Sequence, residues 1–113
     1  MPAIRSIDPR SREALLRELA ALARRLADEL GAEQVYLFGS LARGDQHEGS
    51  DIDLLVVAPY RGRALDAIGE VLRLTELPVE PLVVAPAAFA RRLAAAHPLF
   101  TRIAVEGVRL HPA

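Results

Sequence analysis

Apolar residues near the N-terminus recur at helical spacing. Leucine occupies every third or fourth position over residues 15–30, with arginine and glutamate between: Leu15, Leu19, Leu22, Leu26 and Leu30. Apolar side chains at this spacing form one face of an amphipathic helix. Asp8 can cap such a helix with Pro9 at its first position, and Gly31 is typical of a left-handed C-terminal cap. We expect a helix from about Pro9 to Leu30.

The rest of the chain alternates short apolar runs with helical segments. Strands are expected at 35–38, 52–57 and 79–84, helices at 62–75, 86–96 and 98–106, and a short final strand fits 108–110. Residues 54–57 are apolar without alternation, which is typical of a strand covered on both faces. Pro81 indicates an edge position or a bulge in the third strand. The pattern predicts one α/β domain over residues 1–113, with a small mixed β-sheet flanked by α-helices.

Composition narrows the possible chemistry. The chain has 113 residues, 51% hydrophobic and 26% charged, which suits a globular domain too small for separate catalytic and substrate domains. It has no cysteine, which excludes disulfides, cysteine-ligated metals and thiol nucleophiles. All 14 basic residues are arginine, and the net charge of −1 gives no reason to expect DNA binding. No apolar run approaches the roughly 20 residues of a membrane-spanning helix, so we expect a cytoplasmic protein without membrane contact.

The segment after the first strand contains a candidate phosphate site. Gly39 allows a sharp turn and a close approach of the backbone to a ligand. If a helix begins just after Ser40, its unpaired N–H groups favour phosphate oxygens, and the Ser40 hydroxyl adds a further contact. Arg43 adds a cation one turn later. We therefore expect phosphate groups to bind at this turn.

Two carboxylates follow on the second strand. Asp51 and Asp53 are two residues apart, so both side chains lie on the same face. Such a pair repels unless a cation lies between them, and Mg²⁺ held by carboxylates and substrate phosphates satisfies this. Each feature alone is more often a plain turn or a solvated acid. Their order within the 16 residues from Gly39 to Leu54 predicts a nucleoside triphosphate site with two metal ions.

The motif Gly39-Ser40-x-Ala-Arg-Gly, followed by Ser50-Asp51-Ile52-Asp53-Leu54, resembles the signature of the DNA polymerase β-like nucleotidyltransferase superfamily. It is most similar to the minimal nucleotidyltransferase (MNT) family. This resemblance implies a nucleotidyltransferase fold that uses Mg²⁺ and a nucleoside triphosphate to transfer a nucleoside monophosphate to an acceptor hydroxyl; we expect ATP as the substrate and AMP as the transferred group.

The resemblance also assigns roles to residues. It implies that phosphates bind at Gly39 and Ser40 and that Asp51 and Asp53 bind the metal ions. We also expect Arg43 and Ser50 among the nucleotide-binding residues. The family has a third metal-binding carboxylate on the next core strand. Glu80 is the matching position, although the family more often has aspartate there and Pro81 adjoins it. Glu80 is expected to bind metal or to act as general base, unless it is simply a solvent-facing edge residue.

Similarity to the MNT family also implies a biological role. Such a domain resembles the antitoxin of a two-gene pair, whose partner is an all-helical HEPN-domain ribonuclease that it neutralises by adenylylating a hydroxyl. An alternative is a binding module that silences the partner by contact alone, through the leucine ridge of the first helix. A third possibility is a transferase acting on a small molecule such as an aminoglycoside, with a homo-oligomer or partner completing its acidic pocket.

Overall fold

The computed structural model describes residues 12–44 and 52–113. In chain order the elements are α1 (Arg12–Leu30), β1 (Gln34–Phe38), α2 (Ser40–Arg43), β2 (Ile52–Val57), α3 (Ala64–Arg73), β3 (Val79–Val84), α4 (Pro86–Ala94), α5 (Pro98–Glu106) and β4 (Val108–His111). None of the helices in these two ranges is long and apolar enough to cross a membrane. Residues 9–11, where the first helix was expected to begin, lie outside the described ranges.

Four strands form one mixed sheet in the order β3-β2-β1-β4. β1 pairs antiparallel with both β2 and β4, whereas β2 pairs parallel with β3. The expected small mixed sheet is therefore confirmed, as is the short final strand. Pro81 lies in the edge strand β3, where proline is tolerated because one side of the strand has no neighbour, so its predicted edge position is also confirmed.

Helices cover the sheet on both faces. α1 and α3 pack on one face, over a core that includes Leu54 and Val56 of β2. α4 and α5 pack on the other, where Leu55 and Val57 contact Phe89 and Phe100 within a second core. Burial on both faces explains why the apolar run of β2 does not alternate, as the sequence indicated.

Two helices are shorter than the sequence predicted. α3 begins at Ala64 rather than at residue 62 because Gly62 has a φ of 79°, which a right-handed helix does not allow. α4 ends at Ala94 because Ala96 has a φ of 57°. The following His97 N–H donates to the Arg92 carbonyl at 2.9 Å, and this bond closes the turn before α5.

The end of α5 lies unusually close to β1. A methyl group on Gly107 would lie 3.0 Å from the Leu37 carbonyl oxygen and 2.5 Å from that of Ile103. Only a residue without a side chain fits there without a shift of the backbone. Gly107 thus lets α5 pack against the end of β1 that leads into the candidate phosphate turn.

The burial of the central strand β2 predicts which substitutions lower the stability of the fold most. Leu54 is fully buried, so Leu54→Ala should lower the free energy of unfolding by about 2–5 kcal/mol. Leu65→Ala is the matched control, because Leu65 is 67% exposed and its truncation should change stability by less than about 0.5 kcal/mol. Urea denaturation of the two variants measures both values. Equal losses would contradict the assignment of Leu54 to the core.

Candidate functional site

The candidate phosphate turn, at Gly39 and Ser40, lies between β1 and α2, which is a single turn of helix. Gly39 has φ 79° and ψ −157°, a conformation that favours glycine. α2 ends four residues later at Arg43, and the Gly44 that caps it is left-handed with φ 81°. The helix expected after Ser40 is therefore only one turn long, so its dipole adds little. Buried Leu41 anchors this turn, and Arg12 Nη2 donates to the Leu41 carbonyl at 2.9 Å.

Asp53 lies directly against the phosphate turn. It pairs with Phe38 across β1 and β2, which places it beside Gly39. A methyl group built on Gly39 would overlap Asp53 Oδ2 and lie 3.2 Å from Cγ. Glycine is thus required here for two reasons: the positive φ and the space that the carboxylate occupies. The two predicted motifs meet at this contact.

Glu80 lies beside Asp53 in the neighbouring strand. The two residues are register partners in the parallel pair of β2 and β3, so their side chains share a face of the sheet. Leu55 and Leu82, two residues further along, are also register partners; Leu55 lies in the core under α4 and α5, and the partly buried Leu82 packs against that core. Glu80 is exposed because β3 is an edge strand. The structure therefore brings Asp53 and Glu80 together at one end of the sheet.

The donor atoms suit a hard cation. Asp53 and Glu80 offer only carboxylate oxygens, which are the ligands that Mg²⁺ prefers. Over residues 12–44 and 52–113, no group of three or more histidine, aspartate or glutamate side chains is close enough to hold a metal ion. Asp51 and Ser50 lie outside these ranges, and their roles stay predictions.

A cleft of about 140 Å³ opens beside the phosphate turn, between α2 and α5. Its lining includes Phe38, Gly39, Arg43, Leu99, Arg102 and Glu106. Arg43, the cation expected near the phosphates, lies here and is exposed. The sequence analysis did not single out Arg102. The signal is the spacing of positions 99, 102, 103 and 106, which places them on one stripe of α5.

The contact between Gly39 and Asp53 can be tested by stability. Gly39→Ala should destabilise the protein more than Gly62→Ala. Both glycines have a φ of 79°, but no described atom lies within 4 Å of a methyl group on Gly62. The backbone strain alone is about 1–2 kcal/mol, and we expect the overlap with Asp53 to add about 1 kcal/mol.

Asp53→Ala should recover that added cost when combined with Gly39→Ala, and thermal unfolding of the four forms in this cycle measures the coupling. Additive effects of the two substitutions would show that the carboxylate does not lie against Gly39.

Comparisons with known proteins show the family and agree with the fold. The sequence profile of the nucleotidyltransferase domain family matches residues 19–111. A crystal structure from Sulfolobus solfataricus, provisionally classed as a nucleotidyltransferase, is 29% identical with a TM-score of 0.60, over 73% of this chain and 77% of that one. A toxin–antitoxin structure with AMP-PNP shares the fold at 22% identity and a TM-score of 0.52, over 87% of this chain and 73% of that chain. The search of curated proteins found no match. The matched segment contains the Gly39 turn, Asp53 and all four strands, and the chain belongs to the nucleotidyltransferase domain family.

Proposed function

We propose that the protein is an MNT-type, Mg²⁺-dependent nucleotidyltransferase that transfers AMP from ATP to a hydroxyl on a partner protein. The observation that carries this proposal is the Asp53 carboxylate lying against the Gly39 turn. The contact supports the proposal because nucleotidyl transfer needs a metal-binding acid beside the triphosphate, and Asp53 and the Gly39 turn are the candidates for these two roles. The toxin–antitoxin neighbour with AMP-PNP adds support for an adenine nucleotide and for a protein partner.

Different residues would bind the phosphates and the metal ions. The Gly39 turn and Ser40 hold the β- and γ-phosphates, and Arg43 offsets their charge. Asp51 and Asp53 would hold Mg²⁺, with Glu80 beside Asp53 on the same face. When bound, the ions would polarise the α-phosphate and the acceptor hydroxyl. Most of the rate enhancement then comes from positioning and from electrostatic stabilisation.

The transfer step is a displacement at the α-phosphorus. The acceptor oxygen forms a bond to phosphorus while the bond from phosphorus to the α,β-bridging oxygen breaks, and pyrophosphate leaves with the electron pair. The proton of the acceptor hydroxyl passes to a base, and the Glu80 carboxylate is the candidate at this end of the sheet. Because Glu80 is exposed on an edge strand, a hydroxyl on another protein can approach it from solvent.

A protein acceptor fits the site better than a small polycation. An aminoglycoside needs an acidic pocket around the acceptor site. The described residues do form a cleft of about 330 Å³ with acidic Glu29, Asp66 and Glu70 in its lining. That cleft lies at the Val56–Ala58 end of β2, about 10 Å or more from Asp53 at the rise of a β-strand. We therefore propose a HEPN-domain toxin as the acceptor.

The structure weakens the alternative of silencing by contact alone. That alternative relies on the leucine ridge of the first helix. Leu19 and Leu26 are fully buried and Leu22 is 6% exposed, all in the core under α1 and α3. The ridge packs against this protein's own sheet, so it is not available to a partner.

Removing the charge of Asp53 tests the transfer chemistry. Asp53→Asn should lower transfer from α-labelled ATP to protein by about 100-fold or more, because the metal-binding charge is lost. Glu70→Gln is the matched control, since Glu70 lies on α3 at the other cleft, and it should transfer at the wild-type rate. The assay measures Mg²⁺-dependent label in the proteins of a lysate from the source cell. Unchanged transfer by Asp53→Asn would contradict the two-metal mechanism.

A neutralisation assay separates enzyme from binding module. The Asp51→Asn/Asp53→Asn double variant should lose neutralisation of the toxin if adenylylation is the mechanism. Full neutralisation by a folded double variant would establish contact alone as the function.

Glu80→Gln tests activation of the acceptor. We expect transfer to fall by about 100-fold while the Kd for ATP stays within about threefold, because the base acts on the hydroxyl rather than on the nucleotide. Isothermal titration and the transfer assay measure the two quantities. An equal loss of transfer and of ATP affinity would assign Glu80 to nucleotide binding. Unchanged transfer and unchanged ATP affinity would show that Glu80 is a surface residue without a role in the reaction.

A further inference from the structure

The cleft between α2 and α5, here called the α5 cleft, continues from the candidate site. It shares Gly39 with the phosphate turn, and Gly39 in turn contacts the Asp53 carboxylate. Phe38, the register partner of Asp53, forms part of its wall. A group held at the turn can therefore extend into the α5 cleft without crossing the rest of the protein.

Two arginines from separate elements line this cleft. Arg43 comes from α2 and Arg102 from α5, against a single acid, Glu106. Arg102 is exposed and makes no ion pair within the described part of the chain. Glu106 is four residues after Arg102 on α5. An arginine that precedes a glutamate by four residues forms a weaker helical ion pair than the reverse order. The Arg102 guanidinium, which has no ion-pair partner in the described ranges, favours an anionic group and can bind phosphate oxygens in a bidentate manner.

The position of Arg102 is fixed by the packing of α5. Phe100 and Ile103, on either side of it in sequence, are buried in the second core. The close approach of Gly107 to the Leu37 carbonyl holds the end of the helix against β1. Arg102 is thus presented from an anchored helix and not from a loop, which reduces the entropy lost on binding a ligand.

The size of the cleft limits what it can hold. Its volume of about 140 Å³ is below the roughly 300–1,000 Å³ typical of sites that enclose a whole small molecule. It can accept one end of a nucleotide. The apolar side chains of Phe38 and Leu99 lower the local dielectric and so strengthen a charge pair formed beside them.

We propose that Arg102 binds the terminal phosphates of the nucleoside triphosphate, and that the α5 cleft is the subsite from which pyrophosphate leaves. This inference rests on the proposed nucleotidyl transfer and adds a phosphate-binding residue from the C-terminal half of the chain. Arg102 and Arg43 hold the β- and γ-phosphates from two sides, and the same contacts offset the charge that develops on the leaving pyrophosphate.

Binding of inorganic tripolyphosphate tests this role without any transfer. In isothermal titration with Mg²⁺ present, Arg102→Gln should weaken tripolyphosphate binding about tenfold, since one charge-assisted contact is lost. Binding of AMP, which has no β- or γ-phosphate, should change by less than twofold. Arg91→Gln, an exposed arginine of α4 outside the cleft, is the matched control and should bind like wild type. Glu106→Gln should tighten tripolyphosphate binding, because it removes the one negative charge of the lining.

The kinetic readout is the KM for ATP. Arg102→Gln should raise it about tenfold and weaken inhibition by pyrophosphate to a similar degree, with an unchanged Tm showing that the variant is folded. If Arg102→Gln bound tripolyphosphate as tightly as the wild type, the inference would be overturned. It would also be overturned if Arg102→Gln weakened AMP binding as much as tripolyphosphate binding, because the cleft would then bind the nucleoside. Arg102-dependent tripolyphosphate binding without label transfer in the wild type would refute the proposed function but support this subsite.

Discussion

The contact between the Asp53 carboxylate and the backbone of Gly39 is the constraint on which the site depends. A side chain at position 39 would occupy the space of that carboxylate and would require a strained backbone. The contact joins the end of β1 to the beginning of β2, so it forms only when those antiparallel strands are in register. The pairing of the two central strands thus places the Asp53 carboxylate beside the turn that we propose binds phosphate.

The layered fold supplies the support for this contact. β2 is buried on both faces, and this burial fixes its register with the neighbouring strands. The register in turn fixes the position of Asp53 near the beginning of β2. The parallel pairing with β3 sets Glu80 beside Asp53, on an edge strand where solvent and a partner can reach it. On the other side, α5 brings Arg102 to the cleft next to the turn. In the proposed mechanism the buried strands position the nucleotide, and the acceptor approaches at the open edge of the sheet.

Most of the fold could be predicted from the sequence because its signals are local. The leucine period defined α1, and the unbroken apolar run of β2 indicated a doubly covered strand, as the structure confirms. Pro81 indicated an edge strand for the same local reason, a missing donor. The helix ends were less predictable, since the positive φ of Ala96 has no sequence signal as strong as glycine.

The site could be predicted only where its residues are close in sequence. Gly39 and Asp53 belong to one motif, but the contact between them needs the strand register, which no spacing along the chain supplies. Arg102 lies near the Gly39 turn because α5 packs against β1 through Gly107, which is 68 residues after Gly39. Long-range packing of this kind does not appear in local periodicity.

The central claim, transfer of AMP to a protein, is tested most directly by the position of the label in ATP. The protein, Mg²⁺ and a lysate of the source cell are incubated with α-labelled ATP and, in parallel, with γ-labelled ATP. We predict a labelled protein band from the α-label only, with pyrophosphate released in equal amount. A band from the γ-label would show phosphoryl transfer, and no band from either label would leave a nucleotide-binding domain without this activity; each result would contradict the account.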